Sequence, residues 1–297
     1  MNSTYAERIA ALGEVLGTLP GGLVAFSGGV DSTALLWAAV VALGRERVVA
    51  VTADSPSYPR AELKEASELA QRFAVRHVVL QTSELEREGY RQNANDRCYF
   101  CKTELFESVA SLVRAAGLPD WPVLYGAIAE DADDHRPGHR AASEHGVRAP
   151  LAEVGLRKDE VRRYSREQGL PTAEKPSFAC LSSRVPYGTV IDAGLLYKLE
   201  CAEGYLRDRG FRQFRVRHHG MMCRIEVDGV EIDRAAGPER VGIVQAMREL
   251  GYVYVSLDLQ GFRTGSMNEG TVPGSRLSPS GTGLAPTGER GTPSHES

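Results

Sequence analysis

Val-Ala-Phe-Ser-Gly-Gly-Val-Asp-Ser, residues 24–32, is the stretch from which the fold of this 297-residue chain can be worked out. The apolar run Leu23–Phe26 predicts a buried parallel strand, and Thr33–Ala42 predicts a buried helix. The two glycines between them allow a tight turn, in which backbone N–H groups and the helix N-terminus can face an anion. The stretch therefore predicts a phosphate-binding turn between a strand and a helix, rather than an ordinary glycine-rich connection.

The Ser-Gly-Gly-Val-Asp-Ser signature resembles the PP-loop of the ATP pyrophosphatases. It is not a Walker A loop, because no Gly-Lys-Ser/Thr follows. The resemblance implies cleavage of ATP between the α- and β-phosphates, adenylation of a substrate oxygen and release of pyrophosphate. It also implies Mg²⁺, which Asp31 would help to hold directly or through water. The expected nucleotide-binding residues are Ser27, Gly28, Gly29, Val30, Asp31, Ser32 and Thr52.

Strands alternate with helices over the first half of the chain. After the first strand and helix come a strand over Arg47–Thr52, a helix over Arg60–Phe73, and strands over His77–Leu80 and Val123–Ala127. Such alternation predicts right-handed βαβ crossovers and a parallel sheet, that is, an α/β fold of the ATP pyrophosphatase type. Ligands of these sheets bind beyond the carboxyl ends of the strands, so the nucleotide is expected between the first two strand ends.

A smaller α+β unit is predicted after residue 188. It would contain the helices Leu195–Arg209 and Pro238–Leu250 and the strands Phe211–His218, Met222–Val227 and Tyr252–Leu257. The predicted domains are therefore residues 1–188 and 189–267. Residues 268–297 are mostly Gly, Pro, Ser and Thr, a composition that predicts a disordered tail.

Three of the five cysteines are candidates for metal or redox chemistry. Cys98 and Cys101 are three residues apart, so both sulfurs can face one side, as a metal site, a redox pair or two small buried residues. Cys180 lies in a Pro- and Gly-containing loop between Lys175 and Arg184, whose charges would favour a reactive thiolate over an inert buried thiol.

Charged residues form two further candidate sites. Arg215 and Arg217 alternate along one predicted strand, and with Arg263 nearby they would clamp a phosphate or carboxylate, unless they are only solvated. The acidic stretch 130–134 follows the fourth strand, where it could hold Mg²⁺ or form a solvated turn.

The composition excludes several classes of protein. The net charge is −4, so overall charge does not favour nucleic acid as a partner. No apolar run is long enough to span a bilayer, and residues 1–8 lack the apolar core of a signal peptide. We therefore expect a cytoplasmic protein without a disulfide framework and without a membrane partner.

Three further motifs resemble one family. They are similar to motifs of LarE, the ATP-dependent sulfur transferase of nickel-pincer nucleotide synthesis, and they follow the PP-loop in the same order as in that family. The three motifs are residues 127–151, residues 175–188 and Leu257–Glu269. The resemblance implies that a carboxylate of a pyridinium mononucleotide is adenylated and then attacked by sulfur, giving a thiocarboxylate, and that a second round gives the bis-thiocarboxylate. The three arginines would suit the substrate phosphate or carboxylate, and Glu203 matches an acidic position near the active site.

The family resemblance leaves two sources of sulfur open. In one branch the cysteine that matches Cys180 is consumed. The pattern of Cys98, Cys101 and Cys180 resembles the other branch, in which three thiolates hold a [4Fe-4S] cluster that carries an extra sulfide from an external donor. The cluster is the favoured reading. LarE relatives also imply a homo-oligomer.

Rival readings of the same residues are a PP-loop tRNA thiolase, an amide-forming ligase and a non-catalytic nucleotide-binding regulator. The negative net charge and the lack of a basic extension disfavour the thiolase. The ligase gives the cysteines no role, and the regulator would release no pyrophosphate.

Overall fold

The computed structural model describes residues 4–116, 120–132, 137–176, 179–263 and 266. The chain divides into the units Met1–Arg263 and Thr264–Ser297, and all helices and strands given below lie in the first. The tail predicted over residues 268–297 lies outside the described residues. No helix in the described ranges has the length and apolar character needed to cross a lipid bilayer.

The first sheet is parallel, with the strand order β3-β2-β1-β4. Leu23 of β1 pairs with Val49 of β2 on one side and with Val123 of β4 on the other. The order therefore reverses between β1 and β4. The strands are β1 Gly22–Ala25, β2 Val48–Asp54, β3 Arg76–Gln81 and β4 Val123–Tyr125.

Helices cover both faces of this sheet. One face packs on a large apolar core to which the buried, mostly aliphatic α2 contributes, and the other face packs on α5. This two-sided burial explains the nearly continuous apolar strands. The helices are α1 Tyr5–Gly17, α2 Val30–Leu43, α3 Arg60–Arg72, α4 Glu88–Arg91, α5 Arg97–Ala116, α6 Ala129–Ala132, α7 Pro137–Glu144, α8 Pro150–Glu153 and α9 Lys158–Glu167.

A second sheet has the order β5-β6-β7, with β5 and β6 antiparallel and β6 and β7 parallel. Its apolar face, with Val216 and Ile225, packs on a core shared with α10 and α12. The elements are α10 Ala193–Asp208, β5 Phe214–His219, β6 Met222–Val227, α11 Ile232–Ala236, α12 Arg240–Glu249 and β7 Tyr254–Leu257.

The α/β fold class predicted from the sequence is confirmed, and the main differences lie at element boundaries. The helix after the glycine turn begins at Val30 rather than Thr33, because Gly29 already occupies the N-cap position. Strand β5 begins at Phe214 rather than Phe211. Gly210, with φ of +78°, ends α10, and Phe211 packs into the core before the strand starts.

The division near residue 188 stays a proposal. Each sheet has its own core, but Tyr90 and Phe100 of the first part pack into the core of the second, and both sheets belong to one compact unit.

Candidate active site

The predicted phosphate-binding turn lies between β1 and α2. Gly28 has φ of +62°, a left-handed conformation that glycine adopts without strain. Ser27 donates its N–H to Ser32 Oγ at 3.2 Å, and Ser32 Oγ donates to the Gly29 carbonyl at 3.3 Å. Hydroxyl groups therefore hold the turn open at the N-terminus of α2, where backbone N–H groups without helical partners can bind an anion.

Two glycines bring other elements close to this turn. A Cβ on Gly28 would lie 3.2 Å from Ala66 Cα of α3. A Cβ on Gly126, just after β4, would lie 2.9 Å from backbone atoms of Asp31 and Ser32. The close approach at Gly126 places the start of α2 at the point between β1 and β4 where the strand order reverses, the usual ligand crevice of such sheets.

Thr52 supports the turn from below. Its Oγ1 donates its one proton to the Phe26 carbonyl at 2.7 Å. The same oxygen lies 2.8 Å from His77 Nε2 and therefore accepts the N–H of that nitrogen. Burial lowers the pKa of His77 and so favours the neutral ring. Thr52 is almost fully buried. Its hydroxyl thus fixes the backbone before the turn. The role of His77 as a partner of Thr52 was not predicted from the sequence.

Asp31 pairs with Lys158, the first residue of α9. The Lys158 ammonium lies 2.8 and 2.7 Å from the two carboxylate oxygens. Burial raises the pKa of Asp31, as does Asp131, while Lys158 opposes the rise. The carboxylate expected to help hold Mg²⁺ therefore has an ammonium counter-ion here. In the described part of the chain, no three His, Cys, Asp or Glu side chains are grouped to hold a metal ion.

Lys175 places a second ammonium at the glycine turn. Its Nζ donates to the Gly28 carbonyl at 3.2 Å and lies 2.7 and 2.6 Å from Glu62 and Glu65 of α3. Although burial alone would lower the pKa of Lys175, these two carboxylates raise it. Sequence reasoning connected Lys175 only with Cys180, since nothing local to the sequence indicates the contact with the turn.

Three cysteines share one region of the structure. Cys98 and Cys101 lie near the start of α5, and Cys180 precedes a short 3₁₀ turn, Leu181–Arg184. Burial raises the pKa of Cys98 and of Cys101, and in each case the charge of Cys180 raises it further. Charge interactions weaken with distance, so the three cysteines lie in one neighbourhood. As the described residues stand, however, their side chains are not grouped closely enough to hold a metal ion. By exposed surface, Cys98 as a whole residue is exposed and the other two are half-buried, so the atoms packed around the Cys98 sulfur, rather than enclosure of the whole residue, raise its pKa.

Cations border the cysteines. Arg97 and Lys102 lower the pKa of Cys98, opposing the effect of burial. Arg97 also donates to the Ser182 carbonyl at 2.9 Å and so joins α5 to the segment of Cys180. The other two cysteines lie on different elements, Cys201 on α10 and Cys223 buried on β6. Burial raises the pKa of Cys223, and Lys198 opposes the rise.

The predicted arginine group lies on one face of the second sheet. Arg217 pairs with Glu226 at 2.8 Å and donates to the Ser183 carbonyl at 3.1 Å. The Arg215 guanidinium lies 4.9 Å from the ring centre of Phe262, the residue before Arg263. Burial, then Arg184, lowers the pKa of Arg215 to about 10. The face is therefore cationic, with part of its charge balanced by acids.

Arg263 stays close to this face through Asp258. Its Nη1 lies 3.6 Å from an oxygen of Asp258, and Arg224 of β6 lies 3.7 Å from the other oxygen. The three arginines named from the sequence are thus brought together, and Arg224 was missed.

Glu203 forms a buried ion pair with Arg184. Both carboxylate oxygens accept from the guanidinium at 2.8 Å, and Val216 donates its N–H to the same carboxylate at 3.0 Å. Burial alone would raise the pKa of Glu203, but the net shift is downward because of Arg184. Arg184 also donates to the Cys180 carbonyl at 3.0 Å. Glu203 therefore acts on the Cys180 segment through Arg184.

Parts of the sequence motifs lie outside the described residues. These parts are residues 133–136 of the acidic stretch, 177–178 beside Cys180, and 264–265 and 267–269 of the last motif.

Comparisons with known proteins agree with this geometry. Residues 21–98 match the family described as queuosine biosynthesis protein QueC. An uncharacterised protein of Synechocystis sp., slr1717, is 40% identical over 88% of this chain and 97% of its own length. The pyridinium-3,5-bisthiocarboxylic acid mononucleotide synthase of Lactiplantibacillus plantarum is 36% identical over 90% of this chain and 96% of its own. The argininosuccinate synthase of Natronomonas pharaonis is 30% identical over 50% of this chain and 39% of its own.

Proposed function

Because the chain belongs to the LarE family, that of the pyridinium-3,5-bisthiocarboxylic acid mononucleotide synthases, we propose that it is an ATP-dependent sulfurtransferase acting on pyridinium-3,5-biscarboxylic acid mononucleotide. The observation that supports this proposal is that the glycine turn predicted to bind phosphate and the neighbouring cysteines Cys98, Cys101 and Cys180 lie in one compact unit. The glycine turn would bind the ATP that activates a carboxylate, and the cysteines would supply the sulfur.

Two steps account for the chemistry. A substrate carboxylate oxygen attacks the α-phosphorus of ATP, forming an acyl-adenylate and releasing pyrophosphate. A sulfur nucleophile then attacks the carbonyl carbon, and AMP leaves with the electrons of the broken C–O bond. Adenylation is needed because a free carboxylate has no good leaving group. A second round gives the bis-thiocarboxylate.

The residues around the glycine turn would bind the nucleotide. The N–H groups at the start of α2 and the ammonium of Lys175, which contacts the Gly28 carbonyl, would suit the phosphates. Asp31 would suit Mg²⁺ once the Lys158 side chain moves so that its ammonium pairs with a phosphate oxygen instead of with Asp31, since hard cations prefer carboxylate oxygens.

We propose that Cys98, Cys101 and Cys180 together hold a [4Fe-4S] cluster, for which their side chains would have to come closer together than they lie here. Three soft thiolate donors suit iron, and three ligands leave one iron open for an additional sulfide, which is the sulfur that the cluster would supply. The alternative is that Cys180 itself gives up its sulfur. In either case, Arg184 holds the backbone of Cys180 in place through the Cys180 carbonyl.

The arginine face of the second sheet would bind the anionic groups of the substrate. Arg215 has its guanidinium against an aromatic ring, and Ser183, whose carbonyl accepts from Arg217, is three residues from Cys180. Phosphate or carboxylate bound by this face would thus lie close to the cysteines. An external sulfide donor, a homo-oligomer and a cytoplasmic location are proposed on family resemblance.

Pyrophosphate release tests the adenylation step. We expect release from Mg²⁺ and ATP to require the pyridinium dicarboxylate, and Cys180→Ala to retain it, because the cysteine acts after adenylation. Cys201→Ala is the matched control. Substrate-independent release, or none with a well-folded chain, would contradict the proposal.

Iron content tests the cluster. Protein purified without oxygen should contain iron and acid-labile sulfide that are lost in Cys98→Ala, Cys101→Ala and Cys180→Ala but kept in Cys201→Ala. If the anaerobically reconstituted chain holds no iron, Cys180 is left as the sulfur donor.

A further inference from the structure

A four-residue turn contacts both the glycine turn of residues 27–30, called the phosphate-binding loop below, and the segment of Cys180. This bridging turn, residues 55–58, follows β2, and Tyr58 donates its N–H to the Ser55 carbonyl at 3.0 Å. Arg60 donates to the carbonyls of Ser55 at 2.8 Å and Tyr58 at 2.7 Å. The turn is therefore closed by its own hydrogen bond and braced at both ends.

On one side, the bridging turn contacts the phosphate-binding loop. The Tyr58 hydroxyl donates to the Ser27 carbonyl at 2.8 Å. A trans peptide is planar, with its carbonyl and N–H pointing in opposite directions. By fixing the Ser27 carbonyl, Tyr58 also fixes the direction of the Gly28 N–H, a donor at the place where phosphate would bind. Rotation of that peptide on phosphate binding would therefore move Tyr58.

On the other side, the bridging turn contacts the cysteine segment. Leu181 donates its N–H to the Ser57 carbonyl at 2.9 Å. This N–H belongs to the peptide between Cys180 and Leu181, whose carbonyl accepts from Arg184 at 3.0 Å. The peptide that carries Cys180 is thus held from both sides, and a shift of Ser57 would alter the position of Cys180.

Glu84 anchors the middle of the bridging turn. Ser57 Oγ donates to one carboxylate oxygen of Glu84 at 2.7 Å, and Thr82 Oγ1 donates to the other at 3.0 Å. Glu84 is only 2% exposed, and Ser57 is only 3% exposed. The negative charge of Glu84 also raises the pKa of Cys101, after burial. Since a buried carboxylate is costly without its hydrogen bonds, Ser57 is held firmly to this anchor.

We propose that the bridging turn couples nucleotide binding at the phosphate-binding loop to the position of Cys180, with Tyr58 and Ser57 as the positioning residues. The coupling rests on the proposed binding of ATP at that loop. It would make the cysteine available when an activated carboxylate can form. A chain of packed side chains and hydrogen bonds is the kind of physical network that carries coupling between two sites.

The test measures the rate at which iodoacetamide alkylates Cys180 in the full-length chain after iron removal by a chelator, with and without Mg²⁺ and α,β-methylene ATP. This analogue cannot be cleaved between its α- and β-phosphates. Cys201 provides an internal reference for the reagent. The variants are Tyr58→Phe, Ser57→Ala and, as a matched control, Ser165→Ala, which removes a buried hydroxyl that donates to Val161 within α9.

We expect saturating analogue to change the Cys180 rate about fivefold or more in the wild type and in Ser165→Ala, a typical size for coupling between sites. In Tyr58→Phe and Ser57→Ala the change should fall below about twofold at saturation, although the analogue still binds. An unchanged ratio in both variants, or no change in the wild type with bound analogue, would overturn the coupling alone. Failure of the wild type to bind the analogue by calorimetry would overturn the proposed function as well.

Discussion

Lys175 is the residue that places a positive charge directly at the glycine turn. It lies in the segment of Cys180, yet its ammonium contacts the Gly28 carbonyl at 3.2 Å and two glutamates of α3. An ammonium shared between acids and a phosphate site can move by a short distance to bind phosphate.

Lys175→Met should therefore weaken nucleotide binding about tenfold or more, the loss expected for one charge-assisted hydrogen bond. Isothermal titration with Mg²⁺ and the uncleavable ATP analogue measures this change. Lys64→Met is the control, because Lys64 is exposed and lies 3.9 Å from Glu68 on the same helix. Equal affinities in the two variants would exclude Lys175 from the phosphate site.

Glu203 links residue chemistry to stability. Because the pKa of Glu203 is lower in the folded chain than the ordinary glutamate value of about 4.3, the unfolded chain binds more protons on acidification. The stability that Glu203 contributes is therefore present above that ordinary value and is lost as the pH falls through the lower folded pKa.

Glu203→Gln should reduce the free energy of unfolding at pH 7 by about 3–5 kcal/mol, since Arg184 is left buried without its counter-ion. The stability of this variant should also fall less steeply on acidification than that of the wild type, because the titrating carboxylate is gone. Urea unfolding between neutral and acidic pH measures both effects, with Glu14→Gln on the exposed side of α1 as control. A stability equal to that of the control would mean that the ion pair contributes nothing.

At the scale of elements, the contact between the end of β4 and the start of α2 fixes the candidate site. The glycine turn, the helix after it and the strand before it follow from local sequence, and the structure confirms these three predicted elements. The position of β4 beside β1 does not follow locally, because strand order depends on contacts distant in sequence. The pairs Asp31–Lys158 and Lys175–Glu62 were missed for the same reason.

Gly126→Ala tests this contact. The added Cβ would lie 2.9 Å from backbone atoms of Asp31 and Ser32, which are not free to move aside. We expect a loss of about 1–3 kcal/mol of stability, as in other overpacked sites, together with weaker nucleotide binding. Gly13→Ala in α1 meets no atom within 4 Å and should be neutral or stabilising. If Gly126→Ala binds nucleotide with wild-type affinity, the contact between β4 and α2 does not determine the geometry of the nucleotide site.

At the scale of the whole molecule, the two sheets share the region of the cysteines. Tyr90 packs into the core of the second sheet, and its hydroxyl lies 2.5 Å from Ser182 Oγ, next to the segment that follows Cys180. The sequence predicted two domains from element patterns, but a pattern of strands and helices does not reveal which cores interlock. Such interlocking favours joint unfolding.

We therefore expect residues 1–263 to unfold in one cooperative transition, with equal calorimetric and van't Hoff enthalpies. Scanning calorimetry of the full chain measures this, and Tyr90→Phe should lower the single transition temperature without splitting it. Two separate transitions would show that the parts on either side of residue 188 are independently stable domains.

The most direct test of sulfur transfer is mass spectrometry of the pyridinium dicarboxylate mononucleotide after incubation with the chain, Mg²⁺, ATP and sulfide without oxygen. We expect a carboxylate oxygen to be replaced by sulfur in the wild type and in Cys201→Ala, and no sulfur-containing product from Cys180→Ala although this variant still binds ATP. Unchanged substrate with wild-type chain that binds ATP, or a full yield from Cys180→Ala, would rule out sulfur transfer through Cys180.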